Sequence, residues 1–242
     1  MLLVCCFLKP SWRNNMPKKP DLLIILDILA LILILTALVV IFVFTPIEAI
    51  MGSVQKVFYF HVSSAWAGMV CFILGAVGGT GYLLTRRIRW DWLSSAAIEV
   101  GLIFSIIAIL SGMIWARPIW NTWWVWDPRL TTTAIMTLIY GAYFILRTGL
   151  NTSEARARLG AVYAILAVLT VPLTFFSIRL FRTIHPVVIA TGSETGSAFS
   201  MSPRMLTALL LSLLTFTILL TVLVWHRYRL AQLQSEINPE AA

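Results

Sequence analysis

Charge is scarce in this chain. Asp, Glu, Lys and Arg make up 12% of its 242 residues while 60% are hydrophobic, against about a quarter charged and about half apolar in soluble domains. That balance excludes an ordinary water-soluble globule. Cysteine is nearly absent too: Cys5 and Cys6 form a vicinal pair and Cys71 stands alone, so neither a disulfide framework nor a CxxC redox or zinc site can be built. Only three histidines occur, His61, His185 and His226. No nucleophile sits beside a base, and there is no phosphate loop and no carboxylate dyad of defined spacing. The sequence therefore does not read as an enzyme with its own catalytic groups, and any chemistry would come from a bound group or a partner.

What is abundant is long apolar runs. A spanning helix needs about 20 such residues to cross a hydrocarbon core of about 30 Å. Six stretches qualify: Leu22–Phe44, His61–Leu84, Ala96–Trp115, Leu130–Leu146, Leu159–Leu180 and Met205–Trp225. The expected fold class is an all-α integral membrane protein, a single bundle of six transmembrane helices over residues 16–230 with a tail at 231–242. Pro172 interrupts the fifth run. Residues 1–15 show no periodic pattern; they read as a disordered, over-extended N-terminus ahead of an ordinary start at Met16.

Positive charge orients such a bundle, because Lys and Arg near the spans are retained in the cytoplasm. With alternating sides, 12 of the 18 basic residues fall on the face of the two termini and 6 on the other. Both termini are thus expected to be cytoplasmic, and the segments near 45–60, 116–129 and 181–204 extracytoplasmic. The formal charge of +8 is mostly this bias. Its carriers are spread over four short segments without interleaved aromatics, which suits the lipid bilayer and excludes nucleic acid as a partner. Asp27 and Glu99 lie near span ends, where a carboxylate can snorkel to water. His226, between Trp225 and Arg227, reads as a solvated interfacial side chain.

The second outward segment holds WNTWWVWDPR, residues 120–129. An aromatic belt explains Trp66, Trp90, Trp92 and Trp225 near span ends. It does not explain Trp115, Trp120, Trp123, Trp124 and Trp126, half of the ten tryptophans within twelve residues. Positions 120, 123 and 124 would share one face of a short helix, a flat apolar shelf for a large planar ligand. At its edge Asp127 and Arg129 either pair with each other across Pro128 or leave the Arg129 guanidinium for a carboxylate. His61 and His185 fall on the same side. Singly each reads as a structural residue; together they suggest two axial ligands for a haem iron. Lys56, five residues before His61, adds a cation that could meet a propionate.

These residues resemble the WWD motif, core WGxxWxWD, of the haem-handling proteins of cytochrome c biogenesis. Length, six spans and two flanking histidines make the chain similar to the CcmC family of system I maturation over about residues 17–230. Asn121 stands where the motif usually has Gly, and Pro128 where that family commonly has Ala. The resemblance implies a b-type haem (haem b) at the outer face of the bacterial inner membrane, beneath the WWD surface, with His61 and His185 at the axial positions. It also implies presentation of that haem to the periplasmic chaperone CcmE, and CcmD and the ABC transporter pair CcmA and CcmB as further partners. Two other classes remain open from the residues alone. A transmembrane b-type cytochrome would normally need four histidines within its spans, and a structural docking subunit would make the histidines dispensable.

Overall fold

The computed structural model describes residues 19–48, 51–181, 183–185 and 201–237. The expected N-terminal extension 1–15, most of the 181–204 segment and the last five residues lie outside them. Among the described residues seven α-helices follow in order: α1 Asp21–Val39, α2 Gln55–Thr85, α3 Ile88–Trp120, α4 Pro128–Thr148, α5 Ser153–Ala167, α6 Thr170–Leu180 and α7 Pro203–Ile237. Because α1 continues through a π-turn Val40–Phe44 and α5 and α6 together make one span, six helices are long and apolar enough to cross a membrane.

Local chemistry sets the boundaries. Pro46 pushes Thr45 into an extended conformation, φ −82° and ψ 126°, and so stops the first span. At the other end of α2, Arg86 adopts a left-handed φ of 57°, leaving Arg86 and Arg87 as the whole link to α3. Asp127 caps α4 by accepting from the Leu130 amide at 2.8 Å, with Pro128 in the first turn, the preferred pairing of cap and proline. The break after Ala167 belongs to Pro172. Proline has no N–H for the Val168 carbonyl, which instead accepts from the Val171 amide at 3.0 Å, a tighter turn.

The most extensive pairing is the α2–α3 hairpin. Small residues let these backbones touch: a Cβ on Gly78 would lie 2.7 Å from the Ser94 amide nitrogen, and one on Gly79 would lie 2.9 Å from the Ala161 carbonyl of α5. With no hydrophobic drive between helices in lipid, such close packing and interhelical bonds hold the bundle together. One such bond runs from Ser94 Oγ to the Gly75 carbonyl at 2.7 Å. Apolar side chains of α1, Leu22, Ile25, Leu31 and Ile32 among them, point outward, as a lipid-facing surface requires.

Several expectations are corrected. Helix α2 begins six residues earlier than the apolar run suggested, because Gln55 to Phe60 is buried in part against its neighbours. This places Trp66 well inside the span, where its indole donates to Thr217 Oγ1 at 3.2 Å. The final helix runs through Ile237, so the described part of the tail, residues 231–237, is helical. His226 is paired: its Nε2 lies 2.8 Å from Asp27 Oδ1, and Lys19 donates to the other oxygen of that carboxylate. Glu99 likewise accepts from Arg227 Nε at 2.6 Å.

Candidate functional site

A cleft opens between α2, α3 and the start of α4 at the face opposite the termini. It runs from His185 and Arg129 past Trp120, Trp123 and Trp124 down to Phe72 and Met136.

One wall is built around His61. The early start of α2 puts this residue in the second turn, turned toward α3. Its Nδ1 lies 2.8 Å from the Ala108 carbonyl, with Ser111 Oγ at 3.4 Å. A carbonyl only accepts, so this bond places the proton on Nδ1 and leaves the Nε2 lone pair for a ligand. The same arrangement fixes the tautomer of metal-binding histidines. Gly112 makes room for it, because a Cβ there would lie 2.8 Å from His61 Cε1.

His185 arrives from the segment after α6. Its amide donates to Thr183 Oγ1 at 3.1 Å, and the Thr183 hydroxyl donates to Asp127 Oδ2. Asp127 is only 8% exposed. One oxygen caps α4 and the other holds the turn that carries His185, which ties the end of the tryptophan loop to the second histidine. The two imidazole centroids stand 6.2 Å apart with their planes 39° from one another. Two imidazoles on opposite sides of one metal, each with a bond of about 2 Å and a ring centre roughly 1 Å behind the nitrogen, would stand about 6 Å apart, and the separation of this pair matches that spacing.

The tryptophan segment is not the short helix its spacing suggested. Asn121 takes a left-handed φ of 53° and ends α3 at Trp120. Asparagine tolerates that conformation, which explains how it stands where the WWD motif usually has Gly. Arg117 Nη1 fixes the turn through the Asn121 carbonyl at 2.7 Å and side chain at 2.5 Å. Residues 121–127 then cross the cleft in irregular conformation. Trp115, Trp120, Trp123 and Trp124 still line it. Trp115 and Trp120 pack edge to face at 5.1 Å, as Trp124 and Trp126 do at 5.5 Å. The indole N–H groups of Trp115 and Trp124 are buried without a partner, which is costly unless a bound molecule accepts from them.

Three of the remaining residues divide differently from expectation. Arg129 lines the cleft, and its Nη1 donates to the Thr174 and Phe175 carbonyls of α6, while no ion pair joins it to Asp127 among the described residues. Trp126 is 75% exposed and outside the cleft. Lys56 is also outside: it donates to the Phe42 carbonyl at 2.8 Å and lies over the Phe42 ring, because the extra turns of α2 carry it toward the end of α1. Gly112, Ala108 and Thr183 are parts of the site that the sequence did not disclose. A carbonyl acceptor leaves no residue-type signal, and a glycine in a span reads equally as helix packing.

The chain has relatives among known proteins. The family described as "Heme exporter protein C" matches residues 6–242. The heme exporter protein C of Bradyrhizobium diazoefficiens is 30% identical over 186 residues, 77% of this chain and 68% of that protein. The protein of the same name from Rhodobacter capsulatus is 33% identical over 133 residues, 52% of this chain and 55% of its own length. A ccmC-like mitochondrial cytochrome c biosynthesis protein of Arabidopsis thaliana is 28% identical over 198 residues, 81% of this chain and 73% of that protein.

Proposed function

The chain belongs to the heme exporter protein C family of cytochrome c maturation, and on that premise we propose that it holds one haem b between His61 and His185 and presents it at the face opposite its termini. It is a multi-pass membrane protein that handles a cargo. The observation that carries the reading is the convergence of two distant histidines at 6.2 Å on one cleft, one of them with its tautomer set for ligation.

Each part of the cleft has a task in that reading. The histidines bind the iron; Trp115, Trp120, Trp123 and Trp124 cover the macrocycle and exclude water. Their two unpartnered indole N–H groups offer donors to acceptor atoms of the cargo. Arg129, tethered by one nitrogen to α6, supplies the cation for a propionate, a role the geometry does not support for Lys56. Asp127 and Thr183 position His185. Trp123 and Trp126, 54% and 75% exposed, supply the surface for docking the haem chaperone, CcmE in the family this chain resembles. CcmD and the transporter pair CcmA and CcmB complete the assembly, with the loop face on the periplasmic side of the inner membrane. The third histidine, His226, lies at the opposite end against Asp27, so the described residues provide one histidine pair. That suits holding a haem rather than relaying electrons across the bilayer.

The test is the visible spectrum of the purified full-length protein. Low-spin haem with split α and β bands on reduction is expected. Ala at either His61 or His185 should abolish the split bands, and added imidazole should partly restore them, while His226→Ala should leave the spectrum unchanged. Unchanged spectra in both single variants would remove the axial assignment.

A further inference from the structure

A second cleft lies at the termini face between the start of α3, the α4–α5 corner and the final turns of α7. Three arginines line it, Arg147, Arg156 and Arg227, together with Asp91 and Ser153. Arg147 is spent on Asp91: its two terminal nitrogens meet the two carboxylate oxygens at 2.6 and 2.9 Å. Arg227 reaches Glu99 through Nε at 2.6 Å, an edge that leaves the rest of its fork outside that bond. Arg156 has no carboxylate among these contacts. One terminal nitrogen makes a long bond of 3.5 Å to the Leu150 carbonyl, and its Nε is buried with no partner.

Asp91 and Glu99 thus pair two of the three arginines, and no ion pair joins Arg156 to a carboxylate among the described residues. Arg156 lies in the first turn of α5, where Thr152 accepts from the Ala155 amide at 3.2 Å; the helix dipole adds positive potential there and the exposed Glu154 opposes it. A buried guanidinium nitrogen without an acceptor calls for an anion with oxygen atoms in a planar or tetrahedral array. Trp92, which also lines the cleft and packs edge to face on Tyr228 at 6.2 Å, marks the depth at which aromatic rings meet lipid headgroups. Basic pockets between spanning helices on that side are the sites where anionic headgroups bind.

We propose that this cleft binds one phosphate group, with Arg156, Ser153 and the outer edge of Arg227 as its donors, a site separate from the histidine cleft at the opposite face. The phosphodiester of an anionic phospholipid brings a net negative charge, which the zwitterionic phosphatidylcholine headgroup does not, and gives the buried Arg156 Nε an acceptor. The same chemistry is offered by the headgroup of an anionic phospholipid and by free phosphate.

The experiment uses the full chain in nanodiscs of phosphatidylcholine alone, of phosphatidylcholine with phosphatidylglycerol, and of phosphatidylcholine with added inorganic phosphate. It reads the unfolding midpoint by tryptophan fluorescence and the phospholipid retained per chain by native mass spectrometry. One retained phosphatidylglycerol and a raised midpoint are expected for the wild type and for Arg158→Gln, an exposed arginine on the same helix. Arg156→Gln should retain it about tenfold less well, the effect of losing one charged hydrogen bond. Arg156→Lys, which keeps the charge without the fork, should fall between. A midpoint raised by inorganic phosphate alone would support the site with free phosphate as its source. Equal losses in the Arg156 and Arg158 variants, or no response of the wild type to either anion, would overturn the proposal. Circular dichroism confirms helix content in each variant, and should Arg156→Gln not fold, the wild-type arms and Arg156→Lys decide.

Discussion

Replacing Gly112 by Ala tests the seat of His61 without touching a histidine or a tryptophan. The added methyl would lie 2.8 Å from His61 Cε1 and 3.1 Å from Nδ1, closer than carbon atoms approach without displacement. The ring must swing away, and the bond to the Ala108 carbonyl at 2.8 Å is then lost. Losing a partner of this kind typically weakens metal binding by about 10- to 100-fold, so haem retention should fall at least about tenfold and low-spin character should weaken. Stability should change little, since the helix preference of Ala over Gly, about 0.5–1 kcal/mol, offsets most of the lost hydrogen bond, about 0.5–1.5 kcal/mol. Loss of haem in a protein that unfolds at nearly the same temperature separates damage to the site from damage to the fold. The assay is haem titration followed by the Soret band, beside a thermal melt of the haem-free protein. Gly141→Ala, where a Cβ meets nothing within 4 Å, is the control and should bind haem normally. A Gly112→Ala protein with wild-type affinity and spectrum would refute the reading of His61 as a positioned ligand.

Other outcomes follow from the same geometry. Thr183→Val should lower haem retention about tenfold by releasing the turn that carries His185, whereas Asp127→Ala should add about 1 kcal/mol of lost stability because it also removes the cap of α4; both are read by spectrum and melt together. Trp124→Ala should weaken haem retention about tenfold or more, from stacking worth about 1–3 kcal/mol per ring, while Trp126→Ala should keep its haem and lose co-purification of the chaperone. Cysteine at Asn121 should react with an impermeant thiol reagent from outside intact cells and cysteine at Ser153 should not; labelling of Ser153 from outside would invert the assignment of sides.

The six spans were legible because hydrocarbon thickness dictates length and composition so strongly. Their ends were not. Six residues from Gln55 to Phe60 add more than one turn to α2, and that extension sets His61 at the cleft and Lys56 beside Phe42. The tryptophan segment was legible in composition alone. Helical spacing put Trp120, Trp123 and Trp124 on one face; a left-handed Asn121 put them on one cleft by a different route, because an irregular segment crossing a groove can turn several rings the same way. Pairing of Asp27 with His226 and of Glu99 with Arg227 joins residues far apart in the chain, and nothing local reports it. The same holds for Asp127: its cap position follows from the proline after it, but its hold on Thr183 depends on where α6 delivers the chain.

The central claim is that His61 and His185 bind one iron at the same time, and electron paramagnetic resonance of the ferric haem-loaded protein tests it most directly. A low-spin signal from six-coordinate iron with two nitrogen axial ligands is expected in the wild type, replaced by a high-spin signal in His61→Ala and equally in His185→Ala. A wild-type signal that is already high-spin, or one that stays low-spin when either histidine is removed, would contradict the account.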